Sequence, residues 1–231
     1  MRSYKIYLYR HGITDGNLEG KYIGITDVDL CQQGIDQLHQ LAQQYEYPNV
    51  GKVYSSPLKR CTQTAQVLYP EMSIQTVSKL QEYDFGIYEN KTIDQLKQTP
   101  GFAQWLSHQM TIAPEGGENM QSFQQRIREG FDWVVKDMMK QKISSAAVFT
   151  HGGVIMSLLG MCGLPKANPT HWMVKNGHGY SILVNASLWG NTMSFEICDK
   201  LPYGEQDIFD KKTFELLDVE ELKRNYQNEQ S

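Results

Sequence analysis

The chain has 231 residues, 40% of them hydrophobic and 21% charged, with a formal net charge of −4 and a pI near 5.9. That length suffices for a full α/β core. The acidic balance excludes the basic face expected of a nucleic-acid binder but leaves room for a local cationic pocket.

Tyr4 to Tyr9 is an aromatic and aliphatic run that predicts a buried strand, and it ends in Arg10-His11-Gly12. A polar loop to about Leu30 follows. Ile35, Leu38, Leu41, Ala42 and Tyr45 then recur at helical spacing over 34–45. Val50 to Tyr54 predicts a short second strand. Ser56 as N-cap and Pro57 at the first helical position predict a helix whose face carries Leu58, Cys61, Ala65 and Leu68. A weak alternation over 73–77 suggests a third strand. The stretch from Leu80 to about Glu118 is rich in Gly and Pro, with a short helix expected over 92–97, and reads as a loop-rich cap.

Met120, Phe123, Ile127, Phe131, Val134 and Met138 mark a long amphipathic helix. Ala146 to Thr150 predicts a strand ending in His151-Gly152-Gly153. The apolar run after it, Val154 to Leu164, is far short of the roughly 20 residues a membrane span needs. Segments 180–186 and 192–198 predict a β-hairpin turning near Gly190-Asn191. From about 199 the chain is acidic, with helical character over 219–226, and reads as a C-terminal extension of a single domain spanning 1–231. The N-terminus lacks the apolar region of a signal peptide. Cys31, Cys61, Cys162 and Cys198 are widely spaced without a C-x-x-C pair. That pattern suits reduced thiols and a cytoplasmic location rather than a disulfide frame or zinc site. Strands alternating with helices imply a mostly parallel sheet covered by helices on both faces.

Two strands end alike, in Arg10-His11-Gly12 and in Thr150-His151-Gly152, and a third leads into Ser56 and Arg60. Parallel strands put their C-terminal ends on one edge, where open α/β sheets bind ligands. Arginine forks and helix N-termini suit phosphate oxygens. A lone strand-end histidine is usually structural; three such ends together point to an anion site.

These residues resemble the histidine phosphatase superfamily, in its phosphoglycerate-mutase-like branch. The resemblance rests on Arg10-His11-Gly12 with Thr14 and Asn17, the run Ser55 to Ala65, Glu82 within 80–89, Pro114 to Glu118, and Thr150 to Gly153, in family order over roughly 4–186. It implies a three-layer α/β/α sandwich with a mostly parallel central sheet and an antiparallel edge strand. It also implies that His11 attacks phosphorus, that Glu82 protonates the leaving oxygen and later activates water, and that Arg10, Arg60 and His151 surround the phosphoryl oxygens. Asn17, Thr14, Ser56 and Gly152 complete the expected substrate contacts, although Thr14 and Ser56 are equally good backbone caps. Ile13 stands where that branch often has a carboxylate.

No metal and no cofactor is implied, because cationic side chains take a metal's electrostatic role. The expected activity is a phosphatase acting on a small phosphorylated metabolite, without nucleic acid or membrane; a homodimer is left open. A phosphoglycerate mutase using the same residues is the first rival, disfavoured by the short segment between Glu82 and His151. A phosphate sensor without turnover and a metal-dependent hydrolase follow. His39, His108, His171 and His178 are expected to be structural or at the surface. Tyr22, Tyr83, Phe85, Tyr88, Phe102 and Trp105 form either a stacking wall for the substrate or a satellite core.

Overall fold

The computed structural model describes residues 2–108 and 110–204. In chain order, β1 (Ser3–Arg10) leads into the one-turn helix α1 (Asp15–Leu18), then α2 (Gln32–Gln44), β2 (Lys52–Ser55), α3 (Lys59–Leu68) and β3 (Ile74–Thr76). The following segment carries two short helices, α4 (Ile93–Lys97) and α5 (Phe102–Ser107). After it come α6 (Met120–Gln141), β4 (Ser145–Thr150), α7 (Gly152–Cys162), β5 (Gly163–Leu164), β6 (Gly179–Asn185), α8 (Ala186–Thr192) and β7 (Phe195–Leu201).

The strands form one sheet in the order β3-β2-β4-β1-β6-β7-β5. β3, β2, β4 and β1 are mutually parallel, β6 runs against β1 and β7, and β5 is parallel to β7. The expected antiparallel strand is therefore β6, but it lies inside the sheet, with β7 and β5 beyond it.

Strand alternation explains why the central strands are apolar throughout. In β1, Tyr4, Ile6 and Leu8 join one core while Tyr7 and Tyr9 join another on the opposite face. β4 divides in the same way, Ala146 and Val148 against Ala147 and Phe149. The first core is closed by Phe123, Ile127, Phe131, Val134 and Met138 of α6 and by Val154, Ile155, Leu158 and Leu159 of α7; the second is closed by Cys61 and Ala65 of α3. Both faces being covered is what a parallel sheet requires. α6 is capped by Asn119, whose side chain accepts from Ser122 N at 2.8 Å. Among the described residues no helix is long and apolar enough to cross a membrane, and the four cysteines are free thiols.

Four local expectations change. α3 begins at Lys59 with Leu58 as N-cap rather than at Pro57 with Ser56. The Ser56 hydroxyl accepts from Leu58 N at 3.4 Å and lies 2.8 Å from His151 Nε2, while Asp27 Oδ1 accepts from Lys59 N at 2.7 Å. β6 and β7 are joined by α8 rather than by a tight turn, because Asn185 caps a helix by accepting from Ser187 N and Leu188 N. The cap contains α5 in addition to the expected short helix, which appears as α4 with Thr92 as its capping-box residue. Residues 199–201 finish β7, so that strand runs past residue 198, where the sequence pattern ended it. The helical segment expected over 219–226 lies outside the described residues.

Candidate active site

The parallel arrangement brings the ends of β1, β2 and β4 to one edge. Arg10 lies opposite Thr150, and Ser55 opposite Phe149. His11 and His151 therefore sit side by side, with ring centroids 5.4 Å apart and planes at 63°. Both rings are buried.

His11 Nδ1 lies 2.6 Å from the Gly12 carbonyl oxygen. A carbonyl only accepts, so in the neutral ring Nδ1 carries the proton and Nε2 keeps its lone pair. Burial, with the charges of Arg60 and Arg10 beside it, holds His11 well below the usual histidine range, so the ring stays neutral. The same causes, burial first, hold His151 low. His151 therefore acts as a neutral ring, with its Nε2 against Ser56 Oγ and close to Cys61 Sγ.

Arg60 is fully buried on the first turn of α3. Its Nη1 donates to Thr26 O at 2.8 Å and its Nη2 to Gly24 O at 2.6 Å. Arg10 Nη1 donates to Val174 O at 2.8 Å. The Nε–H groups of both guanidiniums are buried without a protein partner. Each such orphan costs about 1–3 kcal/mol, so both are donors that the protein's own groups leave unsatisfied.

Glu82 is the carboxylate whose charge acts on both arginines. Its Oε2 accepts from Gly153 N at 2.9 Å, and its Oε1 from Tyr83 N at 3.0 Å. Burial outweighs these contacts and pushes its pKa up. A Cβ at position 153 would fall 2.4 Å from Glu82 Oε1, so only glycine brings the α7 N-terminus this close to the carboxylate. Gly152 packs against the Arg10 guanidinium, where a Cβ would fall 3.4 Å from Nε.

Asn17 Oδ1 accepts from Thr14 N, Thr14 Oγ1 and Asn176 Nδ2 at 3.1–3.2 Å. All three contacts fall on the oxygen of the Asn17 amide. Thr14 and Asn17 together form the capping box of α1, so the Thr14 side chain serves the backbone.

His11, Arg10, Arg60, Glu82 and His151 thus meet at one sheet edge, with Asn17, Ser56 and Gly152 around them. Tyr83, Tyr88, Phe102 and Trp105 are 2–3% exposed, in ring contact with one another, and part of the same core as α6 and α7, with Tyr22 and Phe85 partly buried against it, so the aromatics extend the main core rather than forming a separate one. His178 is buried, with Nδ1 2.9 Å from Asn176 O.

Residues missed in the sequence hold this set in place. Asn176 Nδ2 also contacts the His11 and Gly12 carbonyls, at 3.0 and 3.1 Å. Arg126 of α6 donates to the carbonyls of Lys79, Gln81 and Glu82 and pairs with Glu118 Oε1 at 2.5 Å. Glu118 Oε1 also accepts from Asp84 N. The signal for Arg126 was a cation one residue before Ile127 on the buried face of a long helix. Glu118 was visible as the end of the Pro114–Glu118 motif.

Residues 6–190 match the family described as "Histidine phosphatase superfamily (branch 1)". The chain is 26% identical over 186 residues to the "Adenosylcobalamin/alpha-ribazole phosphatase" of Escherichia coli (strain K12), covering 78% of this chain and 90% of that protein. It is 31% identical over 169 residues to a "Probable phosphoglycerate mutase GpmB" of Yersinia pestis (strain Pestoides F), covering 70% and 76%. In structure it is similar to the alpha-ribazole phosphatase from Shigella flexneri, with a TM-score of 0.69 at 25% identity over 79% of this chain and 91% of that one.

Proposed function

The chain belongs to the histidine phosphatase superfamily, branch 1, and from that membership we propose that it hydrolyses small phosphomonoesters through a phosphohistidine on His11. The observation that carries the reading is the His11 ring: its Nδ1 is committed to Gly12 O, and burial beside two cations keeps it neutral. A nucleophilic Nε2 is thereby available at ordinary pH.

In the first step the His11 Nε2 lone pair forms a bond to phosphorus as the ester P–O bond breaks. The leaving oxygen takes the proton of the Glu82 carboxyl group. In the second step the Glu82 carboxylate removes a proton from water, whose oxygen displaces His11 and releases inorganic phosphate. Arg10, Arg60 and the Asn17 amide hold the phosphoryl oxygens during both transfers, and the His151 ring lies beside the group being transferred. The catalytic set needs no metal in this scheme. Among the described residues no cluster of three or more His, Cys, Asp or Glu could hold one.

The test is an assay of p-nitrophenyl phosphate and of 3-phosphoglycerate with bisphosphate primer, each with and without EDTA. Phosphate release should survive the chelator and exceed formation of 2-phosphoglycerate. Mutase turnover far above phosphate release would make the chain a mutase. A large loss of activity with EDTA would make it a metal enzyme.

A further inference from the structure

Glu89 lies outside the catalytic set, yet its carboxylate collects five donors. Oε2 accepts from Gly24 N at 3.1 Å, Thr26 N at 3.3 Å and Thr26 Oγ1 at 2.5 Å; Oε1 accepts from Ile25 N and Phe85 N, both at 3.1 Å. An ionised carboxylate is acceptor-only, which fits five converging donors better than any neutral side chain does.

The same loop faces Arg60 on its other side. The peptide unit joining Gly24 to Ile25 gives its N–H to Glu89 and its carbonyl to Arg60 Nη2. A trans peptide points these two groups in opposite directions within its plane, so Glu89 and Arg60 lie at opposite edges of one peptide unit. Thr26 also bridges the two through successive peptide units, giving its N–H and hydroxyl to Glu89 and its carbonyl to Arg60 Nη1. Gly24 allows this closeness: a Cβ there would fall 1.9 Å from Tyr83 O and 2.3 Å from Glu89 Oε1. The two carbonyls occupy one N–H on each Nη of Arg60, leaving its Nε–H and the remaining Nη hydrogens for a ligand.

We propose that Glu89 is a positioning residue that aims Arg60 at the phosphoryl group by fixing the Gly24–Thr26 loop. This rests on the reading of Arg60 as a phosphoryl ligand given above. The loop carbonyls set the guanidinium plane, and the Glu89 charge polarises the peptide between them toward Arg60. A glutamine in its place would turn an amide NH₂ toward donors that need an acceptor. The loop would then relax, and the effect would reach the reaction through Arg60.

A double-mutant cycle with Glu89→Gln and Arg60→Lys tests this, reading kcat and KM on p-nitrophenyl phosphate and competitive inhibition by inorganic phosphate. Glu89→Gln should lower kcat/KM by about 100-fold and weaken phosphate inhibition by about 10-fold, with the thermal midpoint recorded alongside. Arg60→Lys should lower kcat/KM by about 1,000-fold, and adding Glu89→Gln to it should cost less than about 3-fold more. Losses that multiply in the double variant would overturn the inference, because Glu89 would then act independently of Arg60. An Arg60→Lys enzyme within about 2-fold of wild type would instead overturn the phosphoryl role of Arg60, and the inference with it.

Should Glu89→Gln fail to fold, Glu89→Asp takes its place in the cycle. It keeps the charge but falls short of the loop, and a loss of about 10-fold that vanishes in the Arg60→Lys background is expected. Unchanged kinetics in a folded Glu89→Asp enzyme would contradict the proposal.

Discussion

His11→Ala is expected to lower turnover of p-nitrophenyl phosphate by about 10,000-fold or more, which corresponds to about 5.4 kcal/mol of lost transition-state stabilisation. The size follows from the role: without Nε2 no covalent step exists, and direct attack by water has no base placed for it on that path. The fold should survive. Among the described residues the ring's hydrogen bond runs to its own neighbour, Gly12 O, and no ion pair involves it. Circular dichroism and the thermal midpoint should therefore stay close to wild type while the rate collapses. The variant should also still bind inorganic phosphate, because Arg10, Arg60 and Asn17 are untouched.

Glu82→Gln should have the second largest effect, and its size should depend on the leaving group. For alkyl phosphates, whose departing oxygen must be protonated, a loss of about 100- to 10,000-fold is expected. For p-nitrophenyl phosphate the first step needs little help, whereas hydrolysis of the phosphoenzyme still needs the base. The variant should then release one equivalent of nitrophenol per chain in a burst, followed by slow turnover. The pH dependence has a definite sign. Burial raises the Glu82 pKa above its usual value of 4.5. The acid form is therefore lost as pH climbs through that raised value, and alkyl phosphate turnover should fall with it. His11 is held well below 6.5, so acidification through the ordinary histidine range should not silence the nucleophile. Glu82→Gln should remove the descending limb. A wild-type-like limb in the variant would assign that titration to another group.

The parts of this fold that were readable in the sequence are those where one periodicity dominates. The Tyr4–Tyr9 run read as a buried strand, and the α6 spacing from Phe123 to Met138 as an amphipathic helix, and both are found. The site was readable because parallel strands must bring Arg10, His11 and His151 to a common edge. Short elements set by tertiary capping were not. Gly190-Asn191 looked like a turn, but Asn185 caps α8 and Trp189 Nε1 donates to Asp132 of α6, which holds a helix there. Glu89 and Asn176 were missed for a related reason. Their partners are backbone groups in segments far away in the chain, such as Glu89 with Gly24 and Asn176 with His11. Backbone groups carry no sequence signature. The aromatics of the cap were ambiguous between a substrate wall and a core until their burial decided for core.

The central claim is the covalent bond between His11 and phosphorus, and rapid quenching of Glu82→Gln with p-nitrophenyl phosphate at alkaline pH tests it most directly. Peptide mass analysis should find one phosphoryl group per chain, on the peptide containing Arg10-His11-Gly12, stable in alkali and lost in acid. Turnover with no phosphoryl group on that peptide, or with the group on another residue, would contradict the account.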